Sequence, residues 1–527
     1  MKNIQLLDCT LRDGGYVNDW RFGKRNIQTI MQKIVNAGIE TIECGYLSTK
    51  DSGSEDSARY SSIGDVRRAY TSKADFQDFA VMINYGEFPI ELLQKAEADD
   101  PILRVAFHKK NINDAFEYFR SLEKLGYRYF IQPMGALNYS DKEYVQLIER
   151  VNKTKAEAFY IVDSFGVMEM KDFRRLLFLA DNNLKSGITL GYHAHNNLQQ
   201  AYSNAKYMVE QNLEHSLIID ASVFGMGRGA GNLNLELFAK FLNDTCDKNY
   251  NIEPILEVFD ECLKPIFINS FWGYSLPFYL SAIHNCHPNY ASFFSKKNTL
   301  SVKSLHELLN MISDSDRNSF TKEKASNYYQ QYQANYIDDK KALNQLAENF
   351  EGRKILILAP GKTILTHRKE ILDFISREQP VVIGVNTASE DYHYNYLFVV
   401  NEKRFKPVCP SNVGEYIITS NIHRESELAI KLNYSSYLVQ NEHVAENPTL
   451  MLLNILKALG IHYVAIAGFD GFSADPKENY FSKELSLGSN VEDKLIRNKH
   501  TKDVVEQMVT SIKMEFLTPS MYFSTGY

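Results

Sequence analysis

Two histidines stand one residue apart in the segment GYHAHNN, at His193 and His195. Residues i and i+2 of a β-strand project to the same side, roughly 6–7 Å apart along the chain, so both imidazoles can reach one ion. Such a pair needs an anionic partner to hold a divalent cation. The best candidate for the anionic ligand is Asp13, in DCTLRDGG. Asn232, in GMGRGAGN, offers an amide oxygen as a fourth ligand. The non-functional alternatives are that one of the histidines is structural, that Asp13 belongs to a turn before Gly-Gly, and that GMGRGAGN is only a flexible loop.

The elements that must position these side chains alternate between short apolar runs and helix-sized segments. Strands alternating with helices imply parallel pairing, and eight such units predict a closed (β/α)8 TIM barrel, with an open doubly wound sheet as the alternative. In a closed barrel, strands one, seven and eight are neighbours, and working residues lie at the carboxyl ends of strands, so Asp13 and the two histidines should converge. The predicted strands are Ile4–Asp8, Thr41–Gly45, Phe79–Ile83, Leu103–Phe107, Tyr129–Gln132, Ala158–Val162, Thr189–Tyr192 and Leu217–Ala221.

The pattern changes after the barrel. We predict a barrel domain over residues 1–245, a helical extension and connector over 246–350, and a separate Rossmann-like α/β domain over 351–527. A chain of 527 residues exceeds what one hydrophobic core supports, which agrees with this division.

Bulk composition excludes several classes of protein. The net charge of −7 provides no basic field for a nucleic acid, and no apolar run is long enough to cross a bilayer. The six scattered cysteines form no CxxC pair, and the first residues lack the apolar core of a signal peptide. We therefore expect a cytoplasmic protein that has neither a nucleic-acid nor a membrane partner.

Four segments, DCTLRDGG, ETIECGY, GYHAHNN and GMGRGAGNLNLE, occur in this order, each at a predicted strand end. Together they resemble the superfamily of 4-hydroxy-2-oxovalerate aldolase, hydroxymethylglutaryl-CoA lyase and isopropylmalate synthase. The resemblance covers roughly residues 3–240, and WGYSLPF extends it to about residue 335. It implies a metal-dependent TIM barrel that uses Mn2+ or Mg2+, with Co2+ or Zn2+ as alternatives. Of the three enzymes, the aldolase is the one that the sequence motifs resemble most.

The resemblance also implies roles for individual residues. The ion would chelate a 2-oxo acid such as pyruvate, and Arg12 matches the arginine that stabilises the enolate. Glu43 matches an acidic position that orients Arg12 or a metal-bound water. Asp163 would support the site or cap a helix. Gly229 and Gly231 would let the backbone approach the substrate closely.

The general base is where this sequence departs from the aldolase. The aldolase carries RDGSH, with histidine as base, whereas this chain has Tyr16 at that position. A phenol with an unperturbed pKa near 10 is a poor base at neutral pH unless its surroundings lower that pKa. His108, after the fourth predicted strand, is by its position the candidate that could replace Tyr16 as the general base. The alternative is that His108 is a structural histidine. Tyr274, in GYSLPF, resembles the aldolase's tyrosine that handles the proton of the substrate hydroxyl.

The last domain lacks the glycine that a phosphate-binding P-loop needs before Gly361, and it has no GxGxxG segment. A fused NAD-dependent dehydrogenase is therefore not expected. The order of strands and turns is similar to Rossmann-like sialyltransferase-type and related sugar-processing proteins. This similarity makes Gly361, Lys362, Asn386 and Asp470 candidate contacts for a nucleotide or nucleotide sugar, and a scaffolding domain is the alternative.

The leading hypothesis is aldol cleavage or condensation of a 4-hydroxy-2-oxo acid, with a pyruvate-type enolate and an aldehyde. A second hypothesis is condensation of an acyl-CoA with a 2-oxo acid, as in isopropylmalate synthase. A third is a non-catalytic barrel that serves a sugar-nucleotide-binding domain. We also expect a homo-oligomer.

Overall fold

The structure is a computed structural model that describes residues 3–50, 54–70, 72–297, 299–473, 475, 478–482 and 491–523. The chain forms two compact units. One comprises Met1–Ser292 and Asp314–Ser319, and the other comprises Phe293–Ser313 and Phe320–Tyr527.

The first unit contains a closed barrel of parallel strands. The strands are β1 Ile4–Asp8, β2 Thr41–Leu47, β3 Arg59–Tyr60, β4 Asp78–Asn84, β5 Ile102–Phe107, β6 Tyr129–Pro133, β7 Ala158–Asp163, β8 Thr189–Ala194 and β9 Leu217–Ala221. Their order is β1-β9-β8-β7-β6-β5-β4-β2-β3, and β1 also pairs with β2, which closes the ring of eight, while β3 pairs with the carboxyl end of β2. The predicted TIM barrel is confirmed.

Helices cover the outside of the barrel because each presents an apolar stripe to it. In Lys24–Asn36 the buried residues fall at helical spacing, and Ser140 and Glu143 form a reciprocal capping box at the start of Asp141–Val151. The remaining surrounding helices are Ile63–Ala69, Ile112–Leu125, Met170–Asn183, Ala201–Glu210 and Leu235–Thr245. Between β4 and β5 the described chain forms only the short 3-10 turn Ile90–Leu92, rather than a crossover helix.

Among the described residues of 251–350, all regular structure is helical, as predicted. Residues 252–269 are helical throughout and include a π-helical turn at Phe259–Leu263. The following helices are Leu276–Ile283, Pro288–Lys296, Val302–Met311, Asp314–Arg317, Lys322–Gln333 and Lys340–Phe350. No helix within the described part of the chain is long and apolar enough to span a membrane.

The second unit contains a separate parallel sheet of seven strands in the order β14-β13-β12-β11-β10-β15-β16. These are β10 Ile355–Leu358, β11 Val381–Val385, β12 Tyr394–Val399, β13 Val413–Thr419, β14 Ala429–Leu432, β15 Tyr463–Ala467 and β16 Lys513–Phe516. Alternate residues of β10 join different apolar clusters, because a strand projects its side chains to both faces. Both faces are therefore covered, by elements that include the helices Arg368–Glu378, Pro448–Ala458 and Val491–Met508.

Candidate active site

The structure brings Asp13, His193 and His195 together at the carboxyl end of the barrel strands. Their ligand atoms all lie within 4.8 Å of one another, and all three side chains are buried. His193 lies near the end of β8 and His195 directly follows that strand, while Asp13 ends the short helix Thr10–Asp13 that follows β1. Burial lowers the pKa of His195 to about 3, so this imidazole is neutral at neutral pH, as a metal ligand must be.

Asn232 joins this group through the loop that follows β9. Its backbone forms an isolated bridge with His195, and its amide nitrogen donates to Asp13 Oδ2 over 2.7 Å. Asn232 Oδ1 and His195 Nδ1 are buried and have no hydrogen-bond partner among the described residues. Two unsatisfied polar atoms beside a carboxylate are costly without a cation. The donor set, one carboxylate, two imidazoles and one amide oxygen, therefore fits a divalent metal ion.

Glycines make this close approach of the loop feasible. A Cβ atom on Gly227 would lie 2.3 Å from Asn232 Nδ2 and 2.6 Å from Asp13 Oδ2. Gly229 and Gly231 have φ values of 67° and 78°, a region that favours glycine. Gly229 packs beside Asn197, whose Oδ1 accepts the N–H of Ala230 at 3.0 Å. Asn197 was not predicted as a site residue, although it lies only two residues after His195.

Arg12 lies beside the candidate ligands and is anchored on both sides. It donates through Nη1 to Asp13 Oδ1 over 2.5 Å and through Nε to Glu43 Oε2 over 2.8 Å. Its Nη2 is buried and has no partner among the described residues. Burial opposes the ionisation of Asp13, but the nearby side chains of His195 and Arg12 outweigh it and hold the pKa of that carboxyl below its usual range.

Three charged residues inside the barrel strands were missed by the sequence analysis. Arg104 in β5 is fully buried and pairs with Glu43 at 2.5 Å and with Asp220 in β9. Asp220 in turn lies 2.9 Å from His193 Nδ1. Asp8 in β1 accepts from Thr10 Oγ1 over 2.5 Å, and burial raises the pKa of its carboxyl to about 7. The available signal was a charged residue inside an otherwise apolar strand, where only a partnered charge is tolerated.

Asp163, at the end of β7, organises the adjacent loop. Its carboxylate accepts the N–H groups of Val167 at 3.0 Å and Met168 at 2.9 Å, and burial raises its pKa to about 6. It lines a cavity of about 280 Å3 with residues that follow β6 and β7 and with Arg317. The carbonyl of Asp163 accepts the N–H of His195 at 3.1 Å, so this cavity lies next to the candidate ligands.

The predicted proton-transfer residues lie around the rim of the barrel. Tyr16 is exposed, with its ring edge-on to Trp20 and its ring centre 5.2 Å from the Arg228 guanidinium. His108 is exposed immediately after β5, and Tyr274 is about half exposed in the helical extension. Among the described residues, no hydrogen bond or ion pair joins these three side chains to the candidate ligands.

His287, in the helical extension, was not singled out from the sequence. Its Nε2 lies 3.4 Å from Arg228 Nη1, and its Nδ1 accepts the N–H of Asn289 over 3.2 Å. Burial and the charge of Arg228 hold its pKa well below the usual range. Because both ring nitrogens face donors, this arrangement disfavours His287 as a base.

In the second unit, the predicted contacts lie where strand order reverses around β10. Gly361 follows β10 and donates its N–H to Gly468 O over 2.8 Å, after β15. Asp470 accepts from the backbone N–H of Thr363 at 2.9 Å, and Lys362 pairs with Glu478 at 2.6 Å. Asn386 follows β11 with a φ of 62°.

The match to a known protein family covers the part of the chain that contains the barrel. Residues 3–260 match the family model described as HMGL-like. The 4-hydroxy-2-oxovalerate aldolase of Geobacillus genomosp. 3 is 27% identical over 245 residues, which are 46% of this chain and 70% of the relative. That of Chloroflexus aurantiacus is 27% identical over 264 residues, 49% of this chain and 73% of the relative.

The carboxyl transferase domain of Rhizobium etli pyruvate carboxylase, solved with pyruvate, is similar in structure. Its TM-score is 0.51 at 14% identity, over 66% of this chain and 65% of that one, a likeness of fold alone. By its fold and site, the first unit is a TIM barrel that has a buried cluster of metal-ligand residue types at the carboxyl ends of its strands. Over residues 3–260 the chain is similar to the HMGL-like family, and the relatives with which it shares this region are named as aldolases.

Proposed function

We propose that the barrel is a divalent-metal-dependent carbon–carbon lyase that cleaves or forms a 4-hydroxy-2-oxo acid through a pyruvate-type enolate. One observation carries the proposal: the buried ligand atoms of Asp13, His193 and His195 converge within 4.8 Å, next to the unpartnered Nη2 of Arg12. Asn232 would supply the fourth ligand. The names of the aldolase relatives support the substrate class.

A divalent ion, Mn2+ or Mg2+ with Co2+ or Zn2+ as alternatives, would act as a Lewis acid and a template for the 2-oxo acid. The chain's own contribution starts with Arg12, whose spare Nη2–H can donate to an oxyanion as charge develops there. Glu43 holds that guanidinium in place through Nε. Because both groups are buried, the oxyanion donor is preorganised and water does not compete for it.

Proton transfer is proposed for residues at the rim. Tyr16 stands where the aldolase has its histidine, and the guanidinium of Arg228 lies 5.2 Å from the centre of its ring. His108 is the second candidate base, and Tyr274 is proposed to handle the proton of the substrate hydroxyl. We propose Asp163, Gly229 and Gly231 as substrate contacts, because Asp163 lines the adjacent cavity and the glycines shape the covering loop.

The alternative is condensation of an acyl-CoA with a 2-oxo acid. An assay of free thiol separates the two reactions, since only the condensation releases CoA. Release of CoA that depends on a 2-oxo acid would replace the aldolase proposal.

The direct test of the proposed function is exchange of the C3 protons of pyruvate in heavy water with added Mn2+ or Mg2+. This measures enolisation without the unknown aldehyde, and a panel of 2-oxo acids defines the donor. We expect metal-dependent exchange in the wild type and at least 100-fold slower exchange in Arg12→Ala, about the effect of losing one oxyanion donor. Equal exchange in Arg12→Ala with metal bound would contradict the role of Arg12.

For the second unit we propose a Rossmann-like domain that binds a nucleotide or nucleotide sugar, with a scaffolding role as the alternative. The sheet reverses its strand order around β10, and ligands of open parallel sheets bind beyond the carboxyl ends of strands at such a point. Gly361, Lys362, Asn386 and Asp470 all follow strands at that edge.

We further propose a cytoplasmic homo-oligomer that acts on small molecules, without a fused dehydrogenase, a nucleic-acid partner or a membrane partner. All six cysteines are free thiols, which supports a reducing compartment. The net charge of −7 disfavours contact with nucleic acid. The domain roles proposed from the sequence, with a barrel over 1–245, a connector over 246–350 and a second domain over 351–527, are kept as part of this proposal.

A further inference from the structure

A continuous chain of charged side chains crosses the interior of the barrel and joins two of the candidate metal ligands. Its end members, Asp13 and His193, are both ligand candidates. Every member is at most 5% exposed. The members, in order of contact, are Asp13, Arg12, Glu43, Arg104, Asp220 and His193.

Each link of this chain is a direct contact. Arg12 joins Asp13 at 2.5 Å to Glu43 at 2.8 Å. Glu43 Oε2 also accepts from Arg104 Nη1 at 2.5 Å, and Arg104 Nη2 donates to Asp220 Oδ2. The same Asp220 oxygen lies 2.9 Å from His193 Nδ1. Hydrogen bonds to ionised partners are the strong ones, and in a buried site they fix side-chain geometry.

Arg104 is the centre of this chain and has little freedom to move. It is fully buried, and its guanidinium carbon lies 4.9 Å from the centre of the Tyr160 ring. With its amide oxygen turned toward the guanidinium, Gln132 accepts from Arg104 Nε at 2.7 Å. Each of the three nitrogens of this rigid planar fork thus faces an acceptor, and the acceptors come from three other strands, β2, β6 and β9.

We propose that Asp220 and Arg104 are positioning residues for the metal site. Asp220 accepts the proton of His193 Nδ1, which leaves Nε2 as the ligand atom, and Arg104 fixes Asp220 against the far wall of the barrel. This inference rests on the proposed metal site but adds residues that touch neither the ion nor the substrate. Carboxylates that hold metal-binding histidines in this way set both tautomer and ring orientation.

The two histidines differ in this respect. His193 has a carboxylate on Nδ1, whereas His195 Nδ1 has no hydrogen-bond partner among the described residues and faces Asp13 Oδ2 at 3.7 Å. The tautomer of His193 is therefore fixed before an ion arrives, while that of His195 is not. The chain also holds three carboxylates against two guanidinium groups, an excess of one buried negative charge that a cation would offset.

The first test compares Mn2+ affinity, measured by electron paramagnetic resonance of free Mn2+, in Asp220→Asn and Arg104→Gln. Matched controls are Asp78→Asn and Arg128→Gln, because Arg128 bridges Asp78 at 2.8 Å and Glu157 at 2.7 Å at the opposite end of the barrel. We expect Kd to rise about 10–100-fold in the first pair. We expect less than about threefold change in the controls. Wild-type affinity in a folded Asp220→Asn protein would overturn the proposal.

A second measurement is made on the metal-free wild type, and a variant is needed only to assign the signal. In protein labelled with 15N-histidine, two-bond proton–nitrogen correlations report which ring nitrogen carries the proton, and His193→Gln assigns the signal. We expect the proton of His193 on Nδ1, and a proton on Nε2 would overturn the proposal. If the wild type binds no Mn2+ while His193 has the Nδ1 proton, the proposed function fails and the positioning by Asp220 stands.

Discussion

Gly227 offers a test of the metal site through a residue that has no side chain of its own. An added Cβ atom would lie 2.3 Å from Asn232 Nδ2 and 2.6 Å from Asp13 Oδ2. Both distances are roughly 1 Å inside ordinary contact, so Asp13 and Asn232 must shift by about 0.5–1 Å in Gly227→Ala. Ligand groups have to be held to within about 0.5 Å, so we expect the Mn2+ Kd to rise at least tenfold.

The same overlap costs stability, by about 1–3 kcal/mol for overpacking at a rigid site. Gly64→Ala is the matched control, because its nearest neighbour is Ser62 Oγ at 3.6 Å and it lies in the helix Ile63–Ala69. Replacing a helical glycine by alanine should raise the free energy of unfolding by up to about 1 kcal/mol. Isothermal titration with Mn2+ and urea unfolding of the metal-free proteins measure both effects. A Gly227→Ala protein with wild-type Mn2+ affinity would refute Asp13 and Asn232 as ligands.

Other expected outcomes follow from single side chains. Asp8 has its folded-state pKa raised to about 7, so its contribution to stability is full below about pH 4 and is progressively lost as the pH rises to 7. Urea unfolding of the metal-free wild type should therefore lose about 1.4 kcal/mol per pH unit relative to Asp8→Asn in that range, and parallel curves would contradict the raised pKa. In the second unit, Lys362→Ala should make the thermal shift caused by a UDP-sugar at least fivefold smaller. Lys369→Ala, at an exposed position, is the control. A wild-type protein whose melting temperature does not shift with any nucleotide sugar would favour the scaffolding role. Tyr16→Phe should slow pyruvate exchange at least tenfold if its hydroxyl transfers the proton, whereas unchanged exchange would leave His108 as the candidate.

The fold of the barrel was accessible from the sequence because its strands are short apolar runs bounded by polar residues. β1 and β9 were predicted from end to end, and the other six barrel strands differ by one or two residues at one end or, for β4, by one residue at each end. The missing element is the two-residue strand β3, which pairs with the last two residues of β2. In the second sheet, β14 and β16 could not be predicted from apolar runs, because each has only four residues and alternates in burial.

The convergence of Asp13 with the histidines could be predicted because closure of a barrel makes strands one, seven and eight neighbours. The contacts of Arg104 with Glu43 and Asp220 could not, since they join strands on different sides of the ring and depend on how far each side chain reaches across the interior. Tyr16 illustrates a second limit. Its position in the motif was evident, but its partners Trp20 and Arg228 come from a left-handed turn and a distant loop.

The central claim is that Asp13, His193 and His195 hold one divalent ion. The most direct measurement is the metal content of purified protein after incubation with Mn2+ and removal of free ion, by elemental analysis of the wild type and of His193→Ala and His195→Ala. We predict one Mn2+ per chain in the wild type and none in either variant, with all three proteins folded by circular dichroism. The same metal content in a folded variant and in the wild type would contradict the account.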